Sequence, residues 1–406
     1  MPPINNSIPA STSSQNLETK MTLMLKKEVD HEYMSNSGLL QIPSPADKAD
    51  FFKERELSLL MKNLTKVFKC VVESDTPALA PTRRRAMHYP PGYTLTKVGC
   101  TVRAGCIQFL KQGDEHPDWL LDYADHKFNP RITVILHAMK RWASAVVHVP
   151  NDNVFEPIDD RDKTAMTAIN HLLAFIRRTG KSRKFKNAWH DYARQADSNF
   201  RSGSRFISSL FSHHTRLLVL RVDLYLRPGT YSPSFENEAE AYAVKFLRKL
   251  RDGGIVPGYL GAISKRENGV YRGMHWHWMI FLDAHCHQHT SYYSQAIGEA
   301  WVELVGNDLA SYFNCYSRRH EYAFNGLGVV NIDDIEKLLG VRAALHYMTK
   351  RDCVLQASGR KQQDFRRSKP RHRTKRGAPR KGPNDLHHVQ RALGGARSRN
   401  PAWLKR

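Results

Sequence analysis

The stretch Gly273-Met274-His275-Trp276-His277-Trp278-Met279-Ile280-Phe281-Leu282 decides how this chain is read. Read as a strand, it turns successive side chains to opposite faces, so His275, His277, Met279 and Phe281 share one side. Met274, Trp276, Trp278, Ile280 and Leu282 share the other. The second face is apolar enough to rest on a helical layer, which leaves the histidine face free to open on a cleft. Two neutral imidazoles aimed the same way are a candidate metal-ligand pair.

The flanking sequence places this strand in a sheet. Leu217 to Leu226 alternates, with Leu218, Leu220, Val222, Leu224 and Leu226 on one face and Arg221, Asp223 and Tyr225 on the other. Ser234 to Leu250 has helical spacing and stops at Gly253-Gly254. Val256 to Glu267 reads as a second strand and Asn268-Gly269 as part of a turn into the histidine strand. A helix over about 291–305, a short Val329-Val330 strand and a helix opened by an Asp333/Glu336 capping box follow. On this last helix Val341, Ala344, Leu345 and Met348 form the buried stripe, with Tyr347 and Lys350 at its edge. The polar-faced strands then offer oxygen ligands to complete a metal site: Glu267 across the hairpin from His275 as first choice, and Asp223 as second.

Outside this region the chain changes character. Residues 1–45 are rich in Ser, Asn and Pro and read as a flexible lead. Residues 46–204 read as a helical accessory domain, with segments near 46–73, 97–112, 117–125, 130–147 and 159–179, and with Arg177 to Lys186 as a solvated connector able to meet phosphates. Residues 205–358 carry the strands. From Arg360 to Arg406 there are 16 Lys or Arg against two Asp, so 359–406 is expected to be a disordered basic tail suited to phosphate contact. The formal charge of +23 over 406 residues points to a polyanionic partner. With no apolar run near membrane length and a polar N-terminus, the partner read is nucleic acid rather than a membrane, in a cytoplasmic protein. The six scattered cysteines read as reduced thiols, and the spacing of His285, Cys286, His287 and His289 with Cys315 and His320 matches no usual zinc pattern.

Gly273-x-His275-x-His277 followed by apolar Met279 to Leu282, with Tyr347-x-x-Lys350 some 70 residues later, resembles the two signature motifs of the HUH endonucleases that start rolling-circle replication. Leu220-Arg-Val-Asp223-Leu-Tyr225, Glu267-Asn-Gly269 and His346-Tyr347-Met-Thr-Lys350 add to a resemblance, over about 210–355, to inovirus-type replication proteins and their YagK/YfjJ-like prophage relatives. It implies an α+β fold with an HUH-type antiparallel sheet of about five strands and flanking helices. It also implies Mg²⁺ or Mn²⁺ at His275 and His277, Tyr347 as the nucleophile that forms a 5′-phosphotyrosine, and Lys350 as its companion. The implied substrate is a single-stranded or supercoiled DNA origin in a bacterial host cytoplasm, worked on with the host's replication helicase and polymerase. Ala343 and Arg351 stand where some relatives carry a second tyrosine, so circle closure would need a second subunit, water, or another tyrosine such as Tyr316 or Tyr322. The alternatives are a mobilisation relaxase and a non-catalytic phage or prophage DNA-binding protein that retains the fold. Each motif also has a bland reading: Tyr347 as a packing residue beside a solvated lysine, and Asp223 and Glu267 as partners of neighbouring arginines.

Overall fold

The computed structural model describes residues 45–81, 93–115, 126–149, 160–226, 233–269, 273–322, 324–349, 355–357, 364–370 and 385–395. The chain divides into two units, a helical one (Phe52–Arg194 with Arg351–Arg360) and a sheet-bearing one (Met1–Phe51, Gln195–Lys350 and Lys361–Arg406). The expected lead over 1–45, the expected helix over 117–125 and Lys350 fall outside the described residues, save Pro45 at the start of the first helix.

In the helical unit, α1 (Pro45–Glu73), α2 (Lys97–Glu115), α3 (Pro130–Val146) and α4 (Asp160–Lys181) bury Met61, Leu64, Val102, Cys106, Ile135, Met139, Ile169 and Leu172. The Asn129-Pro130 turn starts α3 for a local reason. Asn129 Oδ1 accepts from the backbone N–H of Arg131 at 2.9 Å and of Ile132 at 3.0 Å, while Pro130 needs no partner in the first turn. Two ribbons complete the unit: β1 (Leu79–Pro81) with β2 (Tyr93–Leu95), and β3 (His126–Phe128) with β9 (Leu355–Ala357).

The connector expected over Arg177 to Lys186 is instead the end of α4 and the start of another helix, α5 (Arg183–Phe211), and the boundary expected at 204/205 falls inside α5. Ser182 explains the start, because its Oγ accepts from Phe185 N at 3.2 Å and so caps the first turn. Phe200, Phe206, Ile207, Leu210 and Phe211 explain the length, since they form a buried stripe that continues the helix into the sheet-bearing unit.

That unit is built on β4 (Arg216–Leu226), β5 (Tyr259–Gly269), β6 (Gly273–Asp283), β7 (Ala310–Asn314), β8 (Gly328–Asn331) and β10 (Phe365–Arg367). The order is β10-β5-β6-β4, with β7 and β8 sharing the far edge of β4, and every pairing is antiparallel. The chain is therefore an α+β protein. On one face α6 (Pro233–Arg251) and α7 (Thr290–Val305) pack Ala239, Phe246, Ile297 and Trp301 against Leu220, Val222, Trp276, Trp278 and Ile280. α6 ends near the expected place: Gly253 has φ +79°, and Gly254 N donates to Lys249 O at 3.0 Å.

The other face is not left open. α5, α8 (Ile335–Met348) and α9 (Asp385–Leu393) cover it with Phe206, Leu210, Leu338, Leu345, Met348, Val389 and Leu393, packed on Val219, Ile263, Met279 and Phe281. A covered histidine face corrects the expectation of a free one, and the reason lies in the strands: Leu217, Val219, Met279 and Phe281 make half of that face apolar. The cap of α8 is Asp334, whose side chain accepts from Lys337 N at 3.0 Å, rather than Asp333.

Two parts of the expected disordered tail are ordered elements. β10 is held on β5 by ladder bonds and by a charge cluster in which Arg266 and Arg366 both meet the carboxylate of Glu240 and Arg266 also reaches Asp364. α9 buries Val389, Ala392 and Leu393. Its last carbonyls accept from Arg342, a buried guanidinium on α8, at 3.1 Å from Leu393 O and 2.9 Å from Gly394 O, and Ser204 Oγ donates to Leu393 O at 2.7 Å. A cation at a helix C-terminus is favourably placed. Burial still pulls Arg342 down to about 10.

Candidate metal centre

The sheet register assembles the site in two rungs. Lys265, His277 and Asp223 lie side by side across β5, β6 and β4, and Glu267, His275 and Tyr225 form the next rung toward the open end. Period-two alternation puts all six on one face. Arg221, one step further along β4, points the same way.

Glu267 Oε2 is 3.2 Å from Nε2 of both His275 and His277, and the ligand atoms of these three residues all lie within 4.8 Å of one another. They are the group that could hold a metal ion among the described residues. His275 and His277 are 4% and 1% exposed, whereas Glu267 is half-buried. Behind the group, Asp223 Oδ1 is 2.8 Å from His277 Nδ1, and Arg221 is 3.6 Å from the same carboxylate oxygen. The His277–carboxylate contacts lie off the hydrogen-bond direction, so neither nitrogen of this buried ring has a directed hydrogen bond. An imidazole nitrogen left this way beside a carboxylate and a second imidazole fits a divalent cation, which would take the Nε2 lone pair. The Asp223 contact on the far nitrogen is the orienting arrangement that metal-ligating histidines generally use.

The charges here are strongly interdependent. Burial opposes charge on His277, but Asp223 and Glu267 outweigh it and lift the imidazole to about 9. Burial likewise works against the Glu267 and Asp223 carboxylates, yet both are held below the ordinary range, Glu267 by Lys265 and His277 and Asp223 by His277 and Arg221. Arg221 stays charged despite its burial because Asp223 faces it. Without a metal, the centre is thus a compact array of two carboxylates, two cationic side chains and one imidazolium.

Tyr347 brings α8 to this array. Its half-buried ring stands edge-on to His277 with centroids 5.4 Å apart, and the Arg221 guanidinium lies 4.4 Å from its centroid. One guanidinium thus touches both the tyrosine and the carboxylate that orients His277. Close helix packing sets this position: a Cβ on Gly203 of α5 would meet Leu345 Cδ1 at 2.5 Å, so glycine lets α8 approach.

Of the residues expected from sequence, Glu267, His275, His277, Asp223, Arg221 and Tyr347 come together. Sequence reasoning missed Lys265, which contacts Glu267, and Tyr225, which stacks on His275 with centroids 5.4 Å apart. The signal for Lys265 was available, since i and i+2 on β5 share a face. Buried Cys315 was read only as a thiol of the failed zinc pattern; its thiol is pushed up by burial, with Asp223 adding to the shift. The His285 to His289 group serves other roles: His285 Nε2 meets Thr215 Oγ1 at 3.1 Å and His287 Nδ1 meets Tyr293 OH at 3.0 Å. No disulfide joins the cysteines among the described residues, and no helix among them is long and apolar enough to cross a membrane. Comparison of the chain with models of known families, with curated proteins and with solved structures finds no match.

Proposed function

We propose that the chain is a DNA-nicking and joining endonuclease of the HUH type that initiates rolling-circle replication on single-stranded or locally opened origin DNA. The observation that carries this reading is the convergence of Glu267, His275 and His277 on one sheet face with the ring of Tyr347 against His277. Glu267, His275 and His277 would hold Mg²⁺ or Mn²⁺. Bound there, the ion would polarise a phosphate oxygen and offset charge that develops in the transition state. Asp223 holds the His277 ring, and Arg221 holds Asp223 and the Tyr347 ring in one arrangement. The Tyr347 phenol oxygen forms the new bond to phosphorus and gives its proton to solvent, the bond from phosphorus to the 3′ oxygen breaks, and that oxygen takes a proton from solvent to end as a 3′-hydroxyl. A phosphotyrosine diester keeps the strand end activated for rejoining. Lys350, three residues after Tyr347, is the proposed cation beside the phosphate, and host helicase and polymerase are the proposed later partners in a bacterial cytoplasm. A carboxylate as third group beside the histidine pair favours a replication initiator over a mobilisation relaxase, which usually carries a third histidine.

A denaturing gel tests this with labelled single-stranded DNA from the surrounding replication region, Mn²⁺, and the wild type beside Tyr347→Phe. The expected result is a covalent adduct lost on substitution and on chelation. Bound DNA with no adduct from any segment of the region would replace this reading with a non-catalytic DNA-binding protein.

A further inference from the structure

We propose that Lys265 is a positioning residue of the metal centre: it reserves one oxygen of Glu267, so that a bound ion receives the other alone and Mg²⁺ is favoured over Ca²⁺. This role rests on the function proposed above and adds to it the choice of ion. Lys265 and Glu267 stand at i and i+2 on β5 and so share the metal face, where they pair in the sheet with His277 and His275 of β6. The carboxylate is divided between its neighbours. Oε2 is 3.2 Å from Nε2 of each histidine, whereas Oε1 accepts from Lys265 Nζ.

The packing behind Lys265 explains the division. The lysine is buried, and the next rung inward on the same face is Ile263 with Met279, both fully buried. An ammonium above an apolar floor is driven toward the carboxylate on its open side, because a buried charge without a partner is costly. That contact engages Oε1 and turns Oε2 to the histidines. A carboxylate with both oxygens free can give both to Ca²⁺, whose oxygen shell is large and flexible, while Mg²⁺ demands near-ideal octahedral geometry and suits a single oxygen. The charge of Lys265 by itself would act alike on the two ions, since both are divalent. A held oxygen discriminates between them.

Competition against Mn²⁺ tests this in the full chain without DNA, with the spectrum of free Mn²⁺ reporting its displacement by Mg²⁺ or Ca²⁺. Lys265→Met, which keeps the length of the side chain and removes the donor, should raise the ratio of Ca²⁺ to Mg²⁺ affinity by ~10-fold, the scale on which partners of metal ligands act. Lys265→Arg, which keeps a donor, should restore the wild-type ratio. An unchanged ratio in Lys265→Met overturns the role even if both affinities move, and the Tyr347 adduct then stands or falls on its own gel. A wild type that binds none of the three ions overturns this role and the metal of the proposed function together. Should Lys265→Met fail to fold, infrared difference spectra of the wild type with and without Mg²⁺ decide. The gap between the antisymmetric and symmetric carboxylate stretches should widen on binding, the mark of one-oxygen ligation, and a gap that narrows or stays put overturns the role.

Discussion

Replacing Asp223 by Asn separates two things this carboxylate does to the metal centre. It removes a negative charge 2.8 Å from His277 Nδ1 while leaving a side chain of nearly the same shape. A metal binds only the neutral imidazole, so protonation competes with it. With His277 at about 9, the ion must displace a proton at pH 7, which weakens apparent affinity by ~100-fold relative to pH above 9, at about tenfold per pH step. Without Asp223 the largest attraction on the imidazolium is gone, leaving Glu267 alone against burial, so this competition is reduced. Against that gain, loss of an orienting partner typically costs ~10–100-fold in metal affinity.

The two effects oppose each other at pH 7 and part at higher pH. Wild-type affinity for Mn²⁺, followed by the spectrum of the free ion in an anaerobic titration, should climb steeply from pH 7 to 9. Asp223→Asn should show a shallow profile, close to the wild type near pH 7 and ~10–100-fold weaker near pH 9. A variant that keeps the full wild-type slope would refute the argument, because the proton would then not be held on His277 by Asp223.

In the metal-free protein, His277 is raised from its ordinary value of 6.5 to about 9, so its contribution to stability is complete below about 6.5 and is lost as pH rises through about 9. Urea unfolding in EDTA should therefore weaken by up to about 3 kcal/mol between pH 6 and 9.5, and a His277→Gln variant should lack that decline. Leu393→Ala opens a hole where α9 docks and should cost about 3 kcal/mol in the same unfolding experiment. A cost below about 1 kcal/mol would mean that α9 adds little to the sheet-bearing unit.

The strands were legible because period two is a strong signal when one face is apolar, and the same alternation put Asp223, Glu267, His275 and His277 on one face. The hairpin register sets Glu267 opposite His275, although Asn268 and Gly269, expected as part of the turn, instead end β5 paired with Met274 and Gly273. What sequence could not show was that this face is itself covered. The covering helices carry their apolar residues with interruptions: α8 buries Arg342 and His346 as well as Leu338 and Leu345, and α9 presents only Val389, Ala392 and Leu393 within strongly basic sequence. Arg342 looks solvated until the carbonyls at the end of α9, about 50 residues later in the chain, are seen to accept from it. Polar composition likewise hid α5, whose first half has the charge of a linker and is helical because its second half is anchored in a core.

On the proposed function, the same geometry bears on how a single-tyrosine site would finish a circle. Tyr316 and Tyr322 are the second tyrosines the sequence offers, and Tyr322 is the one whose surroundings hold its proton most firmly. Tyr316 lies under Arg319, whose guanidinium is 4.4 Å from the ring centroid. Tyr322 is near enough to feel Arg221, Asp223 and Tyr347, but its hydroxyl donates to Cys315 O at 3.2 Å, and burial pushes its phenol well above the ordinary value. Attack by Tyr322 would require breaking that hydrogen bond and shedding a proton that its surroundings retain. Tyr322→Phe should therefore cost about 1 kcal/mol of stability, the worth of one hydrogen bond. Adduct formation and strand joining on an oligonucleotide carrying two cleavage sites should both proceed as in the wild type. If the variant formed the first adduct but joined no strands, Tyr322 would be the second nucleophile and its buried hydrogen bond would have to open during turnover. If joining persists, the second attack must come from another Tyr347 or from a group outside this buried shell, and mixing wild type with Tyr347→Phe at varied ratios then separates a two-subunit reaction from a one-subunit one by whether joining falls with the square of the wild-type fraction.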